Sequence, residues 1–304
     1  MNSEKNITAT IGAVILTKGQ RNDIYSRFLI YRSVNSYYNI ENSEKTKGTS
    51  PMKNIVKKIK TAAIFISCAV MLCSCATSNT ASEKPQEENI SNVTFENGSS
   101  SLFECSDGWT NGNMFNVTWR AENCTFENGV MGLAIDKDSK AGTVPYSGAE
   151  YRSKDFYGYG RYEVRMKAIK NDGVVSSFFT YTGPSDNNPW DEIDIEILGK
   201  DTTKVQFNYF TNGQGNHEFM YDLGFDASED FHDYAFEWYE DKIVWFVDGE
   251  EAHTATENIP VTESKIMMNA WCGTGVDSWL NPFDDSKMPL TAEYERISFD
   301  AFNE

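Results

Sequence analysis

Arg161-Tyr162-Glu163-Val164-Arg165-Met166-Lys167 alternates without a break. Tyr162, Val164 and Met166 fall on one face and four charged residues on the other, the signature of a half-buried antiparallel strand. The same period of two continues in both directions from this run. Further strands are expected at 149–155, 174–181, 191–198, 204–210, 234–239, 243–247, 265–271 and 293–299. Turn chemistry separates them. Asp172-Gly173 and Asp248-Gly249 are turn dipeptides, and Thr182-Gly183-Pro184-Ser185 opens a loop. No helical stripe of useful length competes, and no internal repeat is visible. About ten or more strands over the last 210 or so residues predict an all-β protein, an antiparallel sandwich of two stacked sheets in one domain.

A second stretch carries the chemistry: Trp190-Asp191-Glu192-Ile193-Asp194-Ile195-Glu196-Ile197. In a strand the three isoleucines share one face, and Glu192, Asp194 and Glu196 share the other. Neighbouring carboxylates then sit about 6.6 Å apart along the backbone. A solvated acidic face would explain such a row in an arbitrary acidic chain. Here Trp190 adjoins it, and Phe178, Phe179 and Tyr181 lie one strand earlier, a set suited to gripping sugar rings. Cleavage of a glycosidic bond needs two carboxyl groups in different protonation states, and a third between them can hold those states apart. Glu192 and Glu196 are about 13 Å apart at Cα on a flat strand. A retaining pair needs carboxyl groups about 5–5.5 Å apart, so either the side chains lean together on a concave sheet or the separation suits inversion.

Charge is divided unevenly along the 304 residues. Residues 1–60 hold 11 Lys and Arg against 4 Asp and Glu, a net +7, and the remainder holds 16 against 41, a net −25. So acidic a body is a poor partner for nucleic acid, whose affinity rests on neutralising phosphates. The basic segment has its own logic. Met52 is followed by Lys53, Lys57, Lys58 and Lys60 and then by an apolar stretch from Thr61 to Leu72, too short to span a bilayer comfortably. Leu72-Cys73-Ser74-Cys75 follows, with the form of a lipoprotein signal box in which Cys75 takes the lipid; an ordinary cleaved signal is the alternative. Residues 52–75 are thus expected to be an export signal, 76–94 a polar linker and 95–304 the sandwich. Residues 1–51 precede a complete signal and are expected to be an upstream extension outside the native protein. The expected location is the cell surface or the medium, with membrane contact only through the lipid, and the expected state is a monomer. Beyond the signal, Cys105, Cys124 and Cys272 remain. They are expected to be small buried thiols, although Cys105 and Cys124 could pair, worth roughly 3 kcal/mol.

The chain from 95 to 302 resembles the bacterial lichenases, β-1,3-1,4-glucanases of glycoside hydrolase family sixteen. The resemblance is carried by Asp191–Gly199 with Thr202–Tyr209, by Asn113–Asn116 with Trp119-Arg120-Ala121, and by Ala149–Ser153. Gly158-Tyr159-Gly160, Ser176–Pro184, and Lys265–Asn269 with Trp271 extend it. It implies a concanavalin-like jelly roll whose concave face is an open cleft for β-glucan. It implies Glu192 as nucleophile, Glu196 as general acid/base and Asp194 as the residue that tunes them, with no cofactor needed for catalysis. It also implies substrate contacts from Asn111, Phe115, Glu150, Arg152, Phe179, Tyr181, Trp190, Asn208, Asn269 and Trp271. Related laminarinases carry an extra residue inside the acidic motif, and its absence here favours mixed-linkage glucan. A laminarinase or transglycosylase on the same fold, and a lectin-like glucan-binding module without chemistry, stand as alternatives.

Four departures from the family pattern stand out. Val117 and Gly148 occupy positions of a disulfide common in lichenases. Phe210 stands where a tyrosine is common, and Cys272 where asparagine is. Many relatives hold a structural calcium through backbone carbonyls and an aspartate of the last strand; this chain offers Gly129 and Glu295 for that cation.

Overall fold

The computed structural model describes residues 89–302, apart from Ala141 and Thr143. The upstream extension, the export signal, Cys75 and most of the polar linker lie outside the described residues. Among the described residues no helix is long and apolar enough to cross a membrane.

Two antiparallel sheets stack face to face. One runs β11 (Phe219–Asp222), β10 (Lys204–Phe210), β9 (Asp191–Leu198), β8 (Val174–Thr182), β15 (Lys265–Cys272) and β6 (Tyr146–Ser153), with β2 (Phe103–Cys105) also on β6. The other runs β5 (Val130–Lys137), β16 (Leu290–Ala301), β7 (Gly160–Lys167), β12 (His232–Trp238), β13 (Ile243–Val247) and β14 (Glu250–Ala255). On this second sheet β1 (Val93–Thr94) joins β16 and β4 (Cys124–Glu127) joins β5, while β3 (Val117–Trp119) lies parallel to β6. The sheets meet where β5 pairs with β6, at Asp136 opposite Ser147 and Lys137 opposite Tyr146. The expected jelly-roll sandwich is the architecture found.

Alternation in the sequence becomes alternation in burial. Tyr162, Val164 and Met166 of β7 are fully buried while the charged residues between them stay half-exposed. On β9, Ile193, Ile195 and Ile197 point into the core. Burial of each such side chain stabilises the fold by roughly 1.5–3 kcal/mol. Aromatic contacts bridge the layers, with Phe178 of β8 against Phe236 of β12 and Phe207 of β10 stacked on Trp245 of β13 at 5.6 Å. Two hydrogen bonds also cross the core. Trp245 Nε1 donates to the Asp194 carbonyl at 3.2 Å, and Tyr294 Oη to the Ser177 carbonyl at 3.0 Å. Both acceptors lie on the strands that carry the acidic row and its neighbours, so the second sheet fixes the height of the first.

Asp248-Gly249 closes the β13–β14 hairpin, whereas Asp172-Gly173 turns the chain from β7 of one sheet into β8 of the other. Asp248 and Gly249 both have positive φ, 48° and 84°, as the tight β13–β14 turn demands. Gly173, at φ 79°, leaves no room for a Cβ, which would meet the Phe283 backbone at 2.3 Å.

Several expectations need correction. The folded body begins before Phe95: Val93 is buried and pairs with Ile297, so the end of the supposed linker is a strand. The strands expected at 234–239 and 293–299 span His232–Trp238 and Leu290–Ala301. Strand β5 was not anticipated, because Val130-Met131-Gly132-Leu133-Ala134-Ile135 is small and apolar on both faces and shows no alternation. All three thiols are free, but only Cys124 and Cys272 are buried; Cys105 is half-exposed on the short β2. The Cys105 thiol is hydrogen-bonded to Cys124, an interaction that lowers its pKa.

Candidate active site

An open groove of about 940 Å³ lies over the outer face of the first sheet. It is lined by Glu192, Asp194 and Glu196, and by every one of the ten residues expected to touch substrate, from Asn111 to Trp271. The period of two puts them there. Strand β9 sends its isoleucines inward and its carboxylates into the groove, and the register aligns the neighbours beside them. Tyr181 lies opposite Glu192, Phe179 opposite Asp194 and Ser177 opposite Glu196 on β8. Phe210, Asn208 and Gln206 take the corresponding places on β10.

The three carboxyl groups have different partners. Trp190 Nε1 donates to Glu192 Oε2 at 2.5 Å. Asp194 is hydrogen-bonded to Glu192 as well, and that bond lowers the pKa of Glu192 while raising its own. Glu196 receives Gln206 Nε2 on Oε2 at 2.8 Å. Burial raises all three, and mutual repulsion adds to it for Asp194 and Glu196. Glu192 is pushed up to about 7 and Glu196 to about 8. Asp194, buried and flanked on both sides by carboxylates, is raised well above the usual carboxylate range. The Asp194–Glu192 hydrogen bond thus favours a protonated Asp194 beside an ionised Glu192. Glu192 is the better stabilised anion, and Glu196 holds a proton to higher pH.

Aromatic rings form the walls. Trp190 is partly exposed, stacks on Phe210 at 4.5 Å and 14°, and has its carbonyl held by the Gly213 N–H. Phe210 thus braces the tryptophan, a role that needs no tyrosine hydroxyl. At the other end Phe115 packs on Trp271 at 4.1 Å, and Trp271 on Trp279 at 6.1 Å.

Polar groups are placed by local bonds. Glu150 is buried and accepts from Ser106 Oγ at 2.6 Å; burial, only partly offset by that bond, raises it to about 7. Asn269 Oδ1 accepts from Ser177 Oγ at 2.6 Å, leaving its amide nitrogen for Glu150. Arg152 pairs with Glu104 at 3.0 Å and lies over Trp109, so it is not simply the surface partner of Glu150. Asn111 Oδ1 accepts from Trp119 Nε1 at 2.7 Å. Asn208 Oδ1 is buried and has no partner among the described residues.

Sequence reasoning missed Gln206, Trp279 and Glu218, which also line the groove. Gln206 had a signal, since it stands two residues before Asn208 and so shares its face. Trp279 had none: it sits on α1 (Asp277–Leu280), one turn long and remote in sequence.

The calcium expectation is not supported by the side chains. Gly129 bridges Phe95, and Phe95 continues β1 past the pair Thr94–Arg296, so Gly129 and Glu295 do approach the same end of that strand. Glu295 lies in the bulge between Tyr294 and Arg296, and its Oε2 is taken by Arg165 Nε at 2.9 Å. A carboxylate already neutralised by a guanidinium is a weak ligand for a dication, which requires an oxygen cage. Among the described residues no cluster of three or more His, Cys, Asp or Glu is poised for a metal.

A sandwich that sets carboxyl groups of unequal acidity along an open, aromatic-walled groove is built on the plan of a glycoside hydrolase. The model of the glycosyl hydrolases family 16 matches residues 111–292, and the chain belongs to that family. A beta-glucanase of Acetivibrio thermocellus is 58% identical over 205 residues, 67% of this chain and 60% of that protein. The chain therefore spans less than two thirds of that relative. A Bacillus subtilis beta-glucanase is 55% identical over 206 residues, covering 67% of this chain and 84% of that protein. A solved prokaryotic beta-1,3-1,4-glucanase (lichenase) from a mouse hindgut metagenome is 56% identical with a TM-score of 0.68, over 69% of this chain and 98% of that one.

Proposed function

We propose that this protein is a retaining endo-β-1,3-1,4-glucanase, with Glu192 as nucleophile and Glu196 as general acid/base. The observation that carries the proposal is the unequal partnering of the two among the described residues: Glu192 takes donors from Trp190 and Asp194, and Glu196 from Gln206 alone. Glu192 attacks the anomeric carbon as Glu196 delivers a proton to the departing glycosidic oxygen. Water then opens the glycosyl-enzyme, with Glu196 taking the proton back. No cofactor enters either step. The lichenase and beta-glucanase relatives favour mixed-linkage glucan over laminarin.

The decisive experiment is azide rescue on an activated lichenan oligosaccharide. Glu192→Ala should regain turnover as the α-glycosyl azide, and Glu196→Ala as the β-azide, because the covalent step survives there. The same anomer from both variants, or inverted product from wild type, would overturn the roles. Product analysis on barley β-glucan against laminarin settles the linkage.

Export and lipid attachment at Cys75, with a monomer at the cell surface, are proposed on the sequence alone. Cys75→Ala should move the protein from membrane to soluble fractions; a wild type wholly soluble would refute the anchor.

A further inference from the structure

The amide of Gln206 lies between two groups that together leave it one orientation. Gln206 stands on β10 directly opposite Glu196 on β9 and is 5% exposed. Trp279 Nε1 reaches Gln206 Oε1 at 3.0 Å. An indole N–H only donates, so the carbonyl end of the amide must face Trp279. The NH2 end then faces Glu196 Oε2, at 2.8 Å. Trp279 is itself held, by its backbone N–H donating to the Val276 carbonyl at 2.9 Å and by its ring packing at a tilt on Trp271.

An NH2 group cannot accept a hydrogen bond. When Glu196 is protonated, its proton therefore cannot sit on Oε2 toward Gln206 without opposing two N–H and O–H dipoles. Among the described residues no donor or acceptor engages Oε1. We propose that Gln206, locked by the Trp279 indole, is a positioning residue that confines the catalytic proton of Glu196 to Oε1, the oxygen left free for the glycosidic bond. The inference rests on the assignment of Glu196 as general acid/base. In the first step Oε1 gives its proton to the glycosidic oxygen as that C–O bond breaks and Glu192 forms the ester. In the second, water attacks the anomeric carbon, its proton returns to Oε1, and the ester electron pair returns to Glu192. Through both, Oε2 keeps the same donor.

Without the indole, the amide torsion is broad and roughly two-fold, and the carbonyl can turn toward Glu196. It would then accept the acid proton at Oε2, aiming it away from the substrate and stabilising the protonated form. The charged neighbours of Glu196 are the same in every variant considered: Glu192 and Asp194 on its own strand, and Glu218 just ahead of β11. The residues opposite it on β8 and β10, Ser177 and Gln206, carry no charge.

The test compares Trp279→Phe and Gln206→Leu with wild type on two aryl β-glycosides of a glucan oligosaccharide, one with a phenyl and one with a 2,4-dinitrophenyl leaving group. Phenolate departure needs the acid and dinitrophenolate departure does not. General acid catalysis is worth about 10²–10⁴-fold, so misdirecting the proton should lower kcat/KM, which reports the first step alone, on the phenyl substrate by about tenfold or more, with dinitrophenyl kcat/KM within about twofold of wild type. The alkaline limb of kcat/KM should move to higher pH in both variants, further in Trp279→Phe. Because the two substrates are compared within one preparation, a partly unfolded variant cannot mimic the result. Equal losses on both substrates, or an unmoved alkaline limb, would overturn the inference. Glu196→Ala run alongside separates the two levels. If it too loses both substrates equally, the acid/base assignment falls; if it spares the dinitrophenyl substrate and the other variants do not, only the role of Gln206 falls.

Discussion

Replacing Trp190 by Phe isolates one hydrogen bond to Glu192, the proposed nucleophile. The phenyl ring keeps the stack on Phe210 and removes only the Nε1 donor that reaches Glu192 Oε2 at 2.5 Å. A hydrogen bond to a charged group is worth about 1.5–3 kcal/mol and one to a neutral group about 0.5–1.5. The difference, about 1 kcal/mol at a site partly open to water, is the preference this bond gives to ionised Glu192. At 1.36 kcal/mol per pKa unit it corresponds to about 0.7 of a unit. The sign follows from the chemistry. Loss of a donor disfavours the carboxylate, so the pKa of Glu192 rises and the ionised nucleophile is populated only at higher pH. The acid limb of kcat/KM on barley β-glucan should therefore move up by about 0.7 pH unit, while the alkaline limb, set by Glu196, stays in place. A variant that loses rate at all pH values with both limbs unmoved would refute the tuning argument and leave Trp190 as a sugar platform only.

Asp194 offers a contrast between two replacements. Asp194→Asn keeps a donor for Glu192 and Asp194→Ala does not, so Ala should cost activity at least tenfold more, in line with the range for a proton-handling group; equal losses would refute the shared proton. Asp191 is buried beside the row and accepts backbone N–H groups from Asn212, Val261 and Thr262 at 2.8–3.1 Å. Asp191→Ala strands all three, and with water reaching some of them the loss of stability should be about 2–4 kcal/mol by urea unfolding; a loss under about 1 kcal/mol would show that the loops do not depend on it. Because Arg165 already neutralises Glu295, chelator should leave the melting temperature unchanged. A drop on chelation that calcium reverses would show that Glu295 exchanges its arginine for the cation.

What was legible in the sequence was whatever obeyed the period of two. Strands β9, β10 and β13 fall on their expected residues, because each alternates or runs apolar between turn signals. The same parity delivered the carboxylate row and its neighbours to one face, so the expected contact residues meet in the groove. Residues whose role depends on distant partners were not legible. Nothing local distinguishes β5, apolar on both sides because it joins the two sheets. Nothing in Glu295 tells that a bulge will turn it onto Arg165. Trp279 meets Gln206, some seventy residues earlier in the chain, and Trp271, and those separations are bridged by the fold alone.

The row itself shows why those partners are needed. Three carboxyl groups on one strand face repel, and a fold could lower that repulsion by protonating all three or by giving each an arginine. Either solution would erase the difference between them that glycoside cleavage requires. Here, among the described residues, the compensation is made with donors of graded number, Trp190 and Asp194 for Glu192 and Gln206 for Glu196, while Asp194 between them is pushed toward its protonated form. Uncharged donors lower a carboxyl pKa by small steps and leave room for a proton. That is why replacing a single neutral donor, Trp190 or Gln206, should shift one limb of the pH profile and spare the other.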